Sequence, residues 1–225
     1  MSFLMKHIRT IIYALSFFAA AIPLLLSLQS IPLAQWYGFC TFVTLYLSLL
    51  SSPLRSMFPS SPTMQLFHRA RKALGISAFF FALLHWIYAF FFVIGGFGGL
   101  RLLSMNHLVA ITLSFVALII LTVLAITSLR SLVAKLGKKR WKFIHRFVYL
   151  AALLVFIDMV MIGNQFSDFS NTTSLLTRLS LVMLFILQAL RIYRLKRERL
   201  GVYFLLQKYA IASRKNTASP ALNPS

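Results

Sequence analysis

Three ionisable side chains lie inside apolar stretches of this sequence. They are His85 in AFFFALLHWIYAFF, and His145 and Asp158 in KLGKKRWKFIHRFVYLAALLVFID, residues 135–158. Hydrocarbon solvates such groups poorly, so an ionisable residue within a membrane-length helix is a functional hypothesis by default. The chemistry these types suggest is cofactor ligation between helices. A heme in a helical bundle needs a flat apolar slot and axial ligands from facing helices; neutral imidazole is the usual ligand, and methionine sulfur a common second one. Phe81, Ala82, Ala89 and Phe92 flank His85 at helical spacings. The alanines would let a porphyrin approach the backbone, and the phenylalanines would line its ring. The same pattern also suits a structural histidine hydrogen-bonded to a neighbouring helix. His145, one turn from Trp141 and Tyr149, reads as an interfacial residue, a ligand, or a donor to a heme propionate. Asp158 follows His145 at a distance of about 20 Å along a helix axis, near the depth expected for His85, with Met159 and Met161 beside it. His7, His68 and His107 stand at helix ends, where solvation is the simpler reading.

The elements that must position these groups are membrane helices. Of the 225 residues, 60% are hydrophobic, and the mean hydropathy is +0.83; this places the chain among polytopic membrane proteins. Six apolar runs, near residues 8–28, 36–50, 73–94, 107–127, 143–162 and 175–193, are each about long enough to cross a ~30 Å hydrocarbon layer, the second being the shortest. Only helices satisfy the backbone in lipid at such lengths, so the fold class is all-α with six transmembrane helices. The first run lacks a small-residue cleavage site and reads as a retained helix.

The net charge of +20 sits between the runs rather than in a soluble module. Lys6 precedes the first run and Arg9 stands at its start. Arg55, Arg69, Arg71 and Lys72 lie between the second and third, seven basic residues span 130–146, and eight span 191–215. The alternate connections QSIPLAQ and GNQFSDFSNTTS carry none, and GGFGGLRLLSMN carries only Arg101. The positive-inside rule therefore predicts cytoplasmic N and C termini. The basic clusters also suit anionic head groups of the lipid bilayer, and nothing calls for nucleic acid. A single cysteine, Cys40, excludes a disulfide framework and a thiolate cluster. No Gly-rich phosphate loop is present; GGFGG reads as a turn at the outer surface. The end of the chain, NTASPALNPS, has a disordered composition.

Four segments, LSSPLR, RARKALGISAFFFALLHWIYAF, ITSLRSLVAKLGKKRWKFIHRFVYLAALL and LQALRIYR, together with the six-run layout, give a resemblance to the ferric reductase-like transmembrane family. Within it the chain resembles the MsrQ (YedZ) group, the heme-carrying membrane subunits of bacterial periplasmic methionine sulfoxide reductase systems. The resemblance implies three regions: residues 1–36, a first transmembrane helix and outer loop; 37–195, the ferric reductase-like transmembrane domain; and 196–225, a basic cytoplasmic tail. It implies a heme b protein of the bacterial inner membrane rather than a complete enzyme. Such a subunit passes electrons from quinol or a cytoplasmic flavin reductase to a periplasmic molybdenum-cofactor reductase of MsrP type. FMN is a further cofactor that the resemblance brings in.

Position by position, His85 matches the family's histidine on the third helix and His145 the first histidine on the fifth. Asp158 stands where a second fifth-helix histidine is expected. Arg71 stands where an inner ligand falls in two-heme relatives. Cofactor binding and iron ligation are thus expected at His85 and His145, with three outcomes for the rest. One heme stays on His85, with Met159 or Met161 as the second ligand or with the sixth position open. Or Asp158 itself ligates the iron. Or heme is lost, and Asp158 serves as a helix–helix hydrogen bond, a proton site or a partner for a buried base. The last outcome corresponds to a heme-free membrane scaffold, or to a small proton-coupled transporter using Asp158.

Overall fold

Serine, proline and glycine mark where the apolar runs start and stop. In the computed structural model, which describes residues 2–26, 30–162, 175–176, 178–194 and 196–197, α1 spans Ser2–Leu25 and α2 spans Ser30–Met57. Helix α3, Pro62–Ile87, opens with Ser61 as N-cap and Pro62 in its first turn. Proline suits that place because its missing N–H would have had no helical acceptor. Past Ile87 the chain does not stop; it continues as π-helical turns over Tyr88–Val93. Gly95 and Gly96 then take positive φ values of 82° and 69°, which a residue without Cβ adopts freely, and the short α4, Gly96–Leu100, follows. A Cβ at Gly99 would collide with the Ile94 carbonyl. Gly99→Ala is therefore expected to destabilise the fold by more than ~1 kcal/mol, read as a lower thermal midpoint in detergent; an unchanged midpoint would mean that this turn relaxes freely.

Helix α5, Met105–Thr127, is followed by α6, Arg130–Ile144, which carries the basic run and is broken at Gly137 (φ 73°, ψ 158°). A 3-10 turn over His145–Phe147 leads into α7, Val148–Ile162. Residues 178–194 are helical as well and form α8. No strand occurs among the described residues. Five stretches among them are long and apolar enough to cross a membrane: Lys6–Leu25, Pro32–Met57, Pro62–Val93, Met105–Thr127 and Ser131–Met161. The second apolar run of the sequence is thus the core of a much longer helix. The sixth run is represented by α8, which buries Leu181, Leu184 and Leu187 at helical spacing. The connection GNQFSDFSNTTS and the tail from Glu198 onward, including NTASPALNPS, lie outside the described residues.

The helices meet through small residues. Ala70, Ala73, Ala78 and Ser77 on α3 are buried, and a Cβ on Gly75 would touch Ser48 of α2 at 3.5 Å. Small side chains let helix backbones approach where lipid gives little hydrophobic drive for association. One cluster joins α2, α3, α5, α7 and α8 through Leu45, Leu49, Ala82, Leu121, Ala151 and Leu184. A second joins α1, α2 and α3 through Ala20, Leu33, Tyr37 and Phe81. Polar pins cross between helices: Ser16 donates to Ser77 Oγ at 2.8 Å, Trp36 to the Ala19 carbonyl at 2.8 Å, and Tyr37 to the Ala20 carbonyl at 3.0 Å. Outward-facing Phe17, Phe18, Phe91, Phe92 and Phe185 stay exposed, as helices apolar on every side do when lipid is their solvent.

Candidate functional site

Helices α2, α3, α5 and α7 enclose a cavity of about 880 Å³, within the ~300–1,000 Å³ range of small-molecule and cofactor pockets. His85 borders it from α3. The imidazole Nδ1 lies 2.7 Å from the Ala34 carbonyl of α2. A carbonyl only accepts, so Nδ1 carries the proton and donates, and Nε2 keeps the ring's lone pair. This arrangement, one ring nitrogen tied to backbone and the other free, is the one that orients metal-ligating histidines. Gly38, one turn beyond Ala34, brings α2 against the ring: a Cβ there would lie 3.0 Å from Nδ1 and 3.2 Å from Cε1.

The walls are mostly apolar and aromatic. Ala82 and Ala89 line the cavity on either side of His85, as their spacing predicts. The phenylalanines do not follow the prediction. Phe81 is buried in the α1–α2–α3 cluster, and Phe92 points outward, 62% exposed. The aromatic wall is built from Trp36, Phe39, Phe42, Trp86 and Phe90 instead. The π turns after Ile87 carry more residues per turn than an α-helix, so the register slips past His85. Phe92 then stacks on Tyr88 at 5.2 Å, and Phe90 stacks on Trp86 at 4.8 Å.

From the other side, α7 presents Val155, Asp158 and Met159 to the cavity, and α5 presents Ser114 and Leu118. Asp158 and Ser114 border the cavity together. Met161 is 39% exposed and does not border the cavity. His107, assigned from the sequence to simple solvation, lines the same cavity near the Gly95 end; its Nδ1 is 2.8 Å from Ser104 Oγ.

His145 and Arg71 are elsewhere. His145 begins the 3-10 turn, with Nε2 3.4 Å from Thr127 Oγ1 and its ring 4.2 Å from that of Trp141. Arg71 donates to Ser52 Oγ at 2.6 Å, and its carbonyl accepts from Ser48. Lys72 donates to the Ser128 carbonyl at 2.6 Å. Arg71 and Lys72 both act electrostatically on His145, so the inner position is ringed by cations. The structure therefore brings His85, Asp158 and Met159 onto one cavity and leaves His145 and Arg71 outside its lining.

No ion is needed to explain the donor set: no group of three or more His, Cys, Asp or Glu residues suited to a bare metal occurs among the described residues. A porphyrin brings four nitrogens of its own. One imidazole with a fixed tautomer, bordering an apolar slot flanked by glycine and alanine, fits that group.

Comparisons with known proteins agree with this chemistry. The model of the family described as ferric reductase like transmembrane component matches residues 37–156. The chain is 36% identical over 122 residues to the protein-methionine-sulfoxide reductase heme-binding subunit MsrQ of Herminiimonas arsenicoxydans, covering 52% of each chain. It is 38% identical over 110 residues to the MsrQ of Enterobacter sp. (strain 638), covering 48% of this chain and 52% of that one. It is 30% identical over 156 residues to the MsrQ of Bordetella pertussis, covering 60% of this chain and 73% of that one. The chain spans about half the length of the first of these curated relatives.

Proposed function

The chain belongs to the ferric reductase like transmembrane component family, and on that premise we propose that it is a heme-binding, electron-transferring membrane subunit of a methionine sulfoxide reductase system. The observation that carries this reading is the His85–Ala34 hydrogen bond, which leaves Nε2 as the ring's lone pair beside an 880 Å³ cavity. His85 is the residue that would hold a single heme b. Ala34 holds the ring's orientation, Gly38 admits it, and the apolar walls keep water from the slot. When bound, heme supplies a one-electron relay. Met159 borders the slot as a soft neighbour. His145, outside the lining, is proposed as a hydrogen-bonding group nearer the basic face rather than a ligand.

The finer reading is a six-span protein of the bacterial inner membrane with both termini in the cytoplasm, supported by the placement of the basic clusters. Its donor is quinol or a cytoplasmic flavin reductase, and its acceptor a periplasmic molybdenum-cofactor reductase of MsrP type. Protein purified from heme-replete cells is expected to hold one heme b per chain by pyridine hemochrome assay. A quinol should reduce the absorbance band, and an MsrP-type partner should reoxidise it. Colourless protein would sink the reading and leave a heme-free membrane scaffold. His145→Ala is expected to keep heme content within about twofold of wild type, because direct ligands and their supports control occupancy and His145 borders no part of the slot; a larger loss would place it among the ligands.

A further inference from the structure

Pro53 lies inside α2, one turn beyond Leu49. Proline has no N–H, so the Leu49 carbonyl loses its helical donor. The side chain of Gln188 on α8 supplies one instead, with Nε2 3.2 Å from the Leu49 carbonyl. Arginines gather at the same end of α2. Arg71 of α3 donates to Ser52 Oγ at 2.6 Å, and Arg194 of α8 donates to the Ser56 carbonyl at 3.2 Å. Arg191 donates to Gln188 Oε1 at 3.5 Å. The anchoring positions, Leu49 to Ser56, cover about 10 Å of helix axis. Every acceptor named here is neutral. The C-terminus of a helix offers about half a negative charge, against three guanidinium charges. Asp158 is the only acidic residue among the described residues. It borders the cavity, about 13 Å along α7 from Tyr149, whose hydroxyl reaches the same Gln188 Oε1. Among the described residues, more than two positive charges at this corner therefore lack a counter-charge. Arg71 is half-buried, and partly buried charges are screened less than exposed ones. Beside these cations the surface is apolar: Phe58 at the end of α2, and Leu190, Ile192 and Tyr193 on α8, are exposed.

We propose that the corner between α2, α3 and α8 is a specific site for the phosphate of an anionic phospholipid, held by Arg71, Arg191 and Arg194. A guanidinium is a planar fork whose N–H groups match phosphate oxygens in pairs. Each of these arginines gives one N–H to the protein contacts above out of the five it carries. A bound phosphate would bridge α3 and α8, whose cations otherwise repel one another. Basic pockets between membrane helices suit such headgroups. A soluble phosphate would use the cations alone, whereas a lipid also covers the exposed Phe58, Leu190, Ile192 and Tyr193 with its acyl chains. The site is independent of the heme reading: it lies outside the cavity lining and none of its residues faces a cofactor.

The test is native mass spectrometry of the full chain released from nanodiscs of equal parts phosphatidylglycerol and phosphatidylcholine. The wild type should retain phosphatidylglycerol in preference to phosphatidylcholine, at one molecule per chain. Arg194→Gln, at an exposed position, should weaken that retention about fivefold, and Arg71→Gln with Arg194→Gln about 25-fold, at about fivefold per cation near a membrane surface. Lys138→Gln with Lys139→Gln, in the exposed basic run of α6, should leave it unchanged. If Arg71→Gln does not fold, Arg194→Gln against the Lys138 and Lys139 pair decides the question. Retention without preference for the anionic lipid overturns the site. An equal loss in the lysine pair overturns it too, since that is the mark of diffuse attraction to a basic surface. Displacement of the lipid by millimolar inorganic phosphate or FMN overturns the lipid as occupant and assigns the arginines to a soluble phosphate.

Discussion

Replacing His85 with alanine is expected to yield a membrane-inserted but nearly colourless protein. Loss of a group one step removed from a ligand commonly costs ~10–100-fold in occupancy, so loss of the proposed ligand itself should weaken heme retention by at least ~100-fold. Hemochrome content per chain is the measurement. Imidazole added to the medium should partly restore the absorbance band, because the alanine leaves a ring-sized space beside the Ala34 carbonyl. Unfolding would not be reversed by imidazole, so rescue separates ligand loss from collapse. Full heme content in His85→Ala would remove His85 from the site.

The second large effect is expected at Gly38, where no ionisable chemistry is involved. Its missing side chain leaves the room in which the His85 ring sits; a Cβ would stand 3.0 Å from Nδ1. Alanine there requires the ring to yield by a few tenths of an ångström and should lower heme content modestly. Valine adds two methyl groups on a stiff rotamer and should push the imidazole off the Ala34 carbonyl, reducing occupancy by ~10–100-fold, the range for a lost orienting partner. Helical content by circular dichroism should change little, since Gly38 lies in the interior of α2. Retention of heme in Gly38→Val would mean that the ring is not held from α2.

The membrane helices were legible because apolar length is a one-dimensional signal. The run at 107–127 coincides closely with α5, Met105–Thr127, and Pro62 after Ser61 announces the start of α3. The run at 36–50 underestimates α2 because the helix continues through Ser51, Ser52 and Pro53, residues that lower hydropathy but are buried between helices. Within the site, His85, Asp158 and Met159 could be read from their types and depth, and they share one cavity. Ala34 and Gly38 could not. Their roles come from an α2–α3 contact across 51 positions of sequence, and neither residue type advertises it. The assignment of Phe92 to the cavity failed for a local reason: spacing arguments assume 3.6 residues per turn, and the chain departs from that after Ile87. Phe81, in the regular part of α3, is taken up by the packing of α3 against α1 and α2 instead. His107 was passed over because it stands at a helix start, a place where the sequence alone cannot tell a solvated side chain from one at the rim of a buried space.

The wider turns over Tyr88–Val93 have a further consequence for how this wall of the protein can change. A widened turn stores a spare residue in the span. Deleting one position there would cost the backbone little, since the remainder would wind as ordinary helix and the residues beyond the turn would keep nearly their present direction. Loss of a single codon is thus a change this stretch can absorb, whereas the same loss within the regular part of α3 would turn everything beyond it by about 100°.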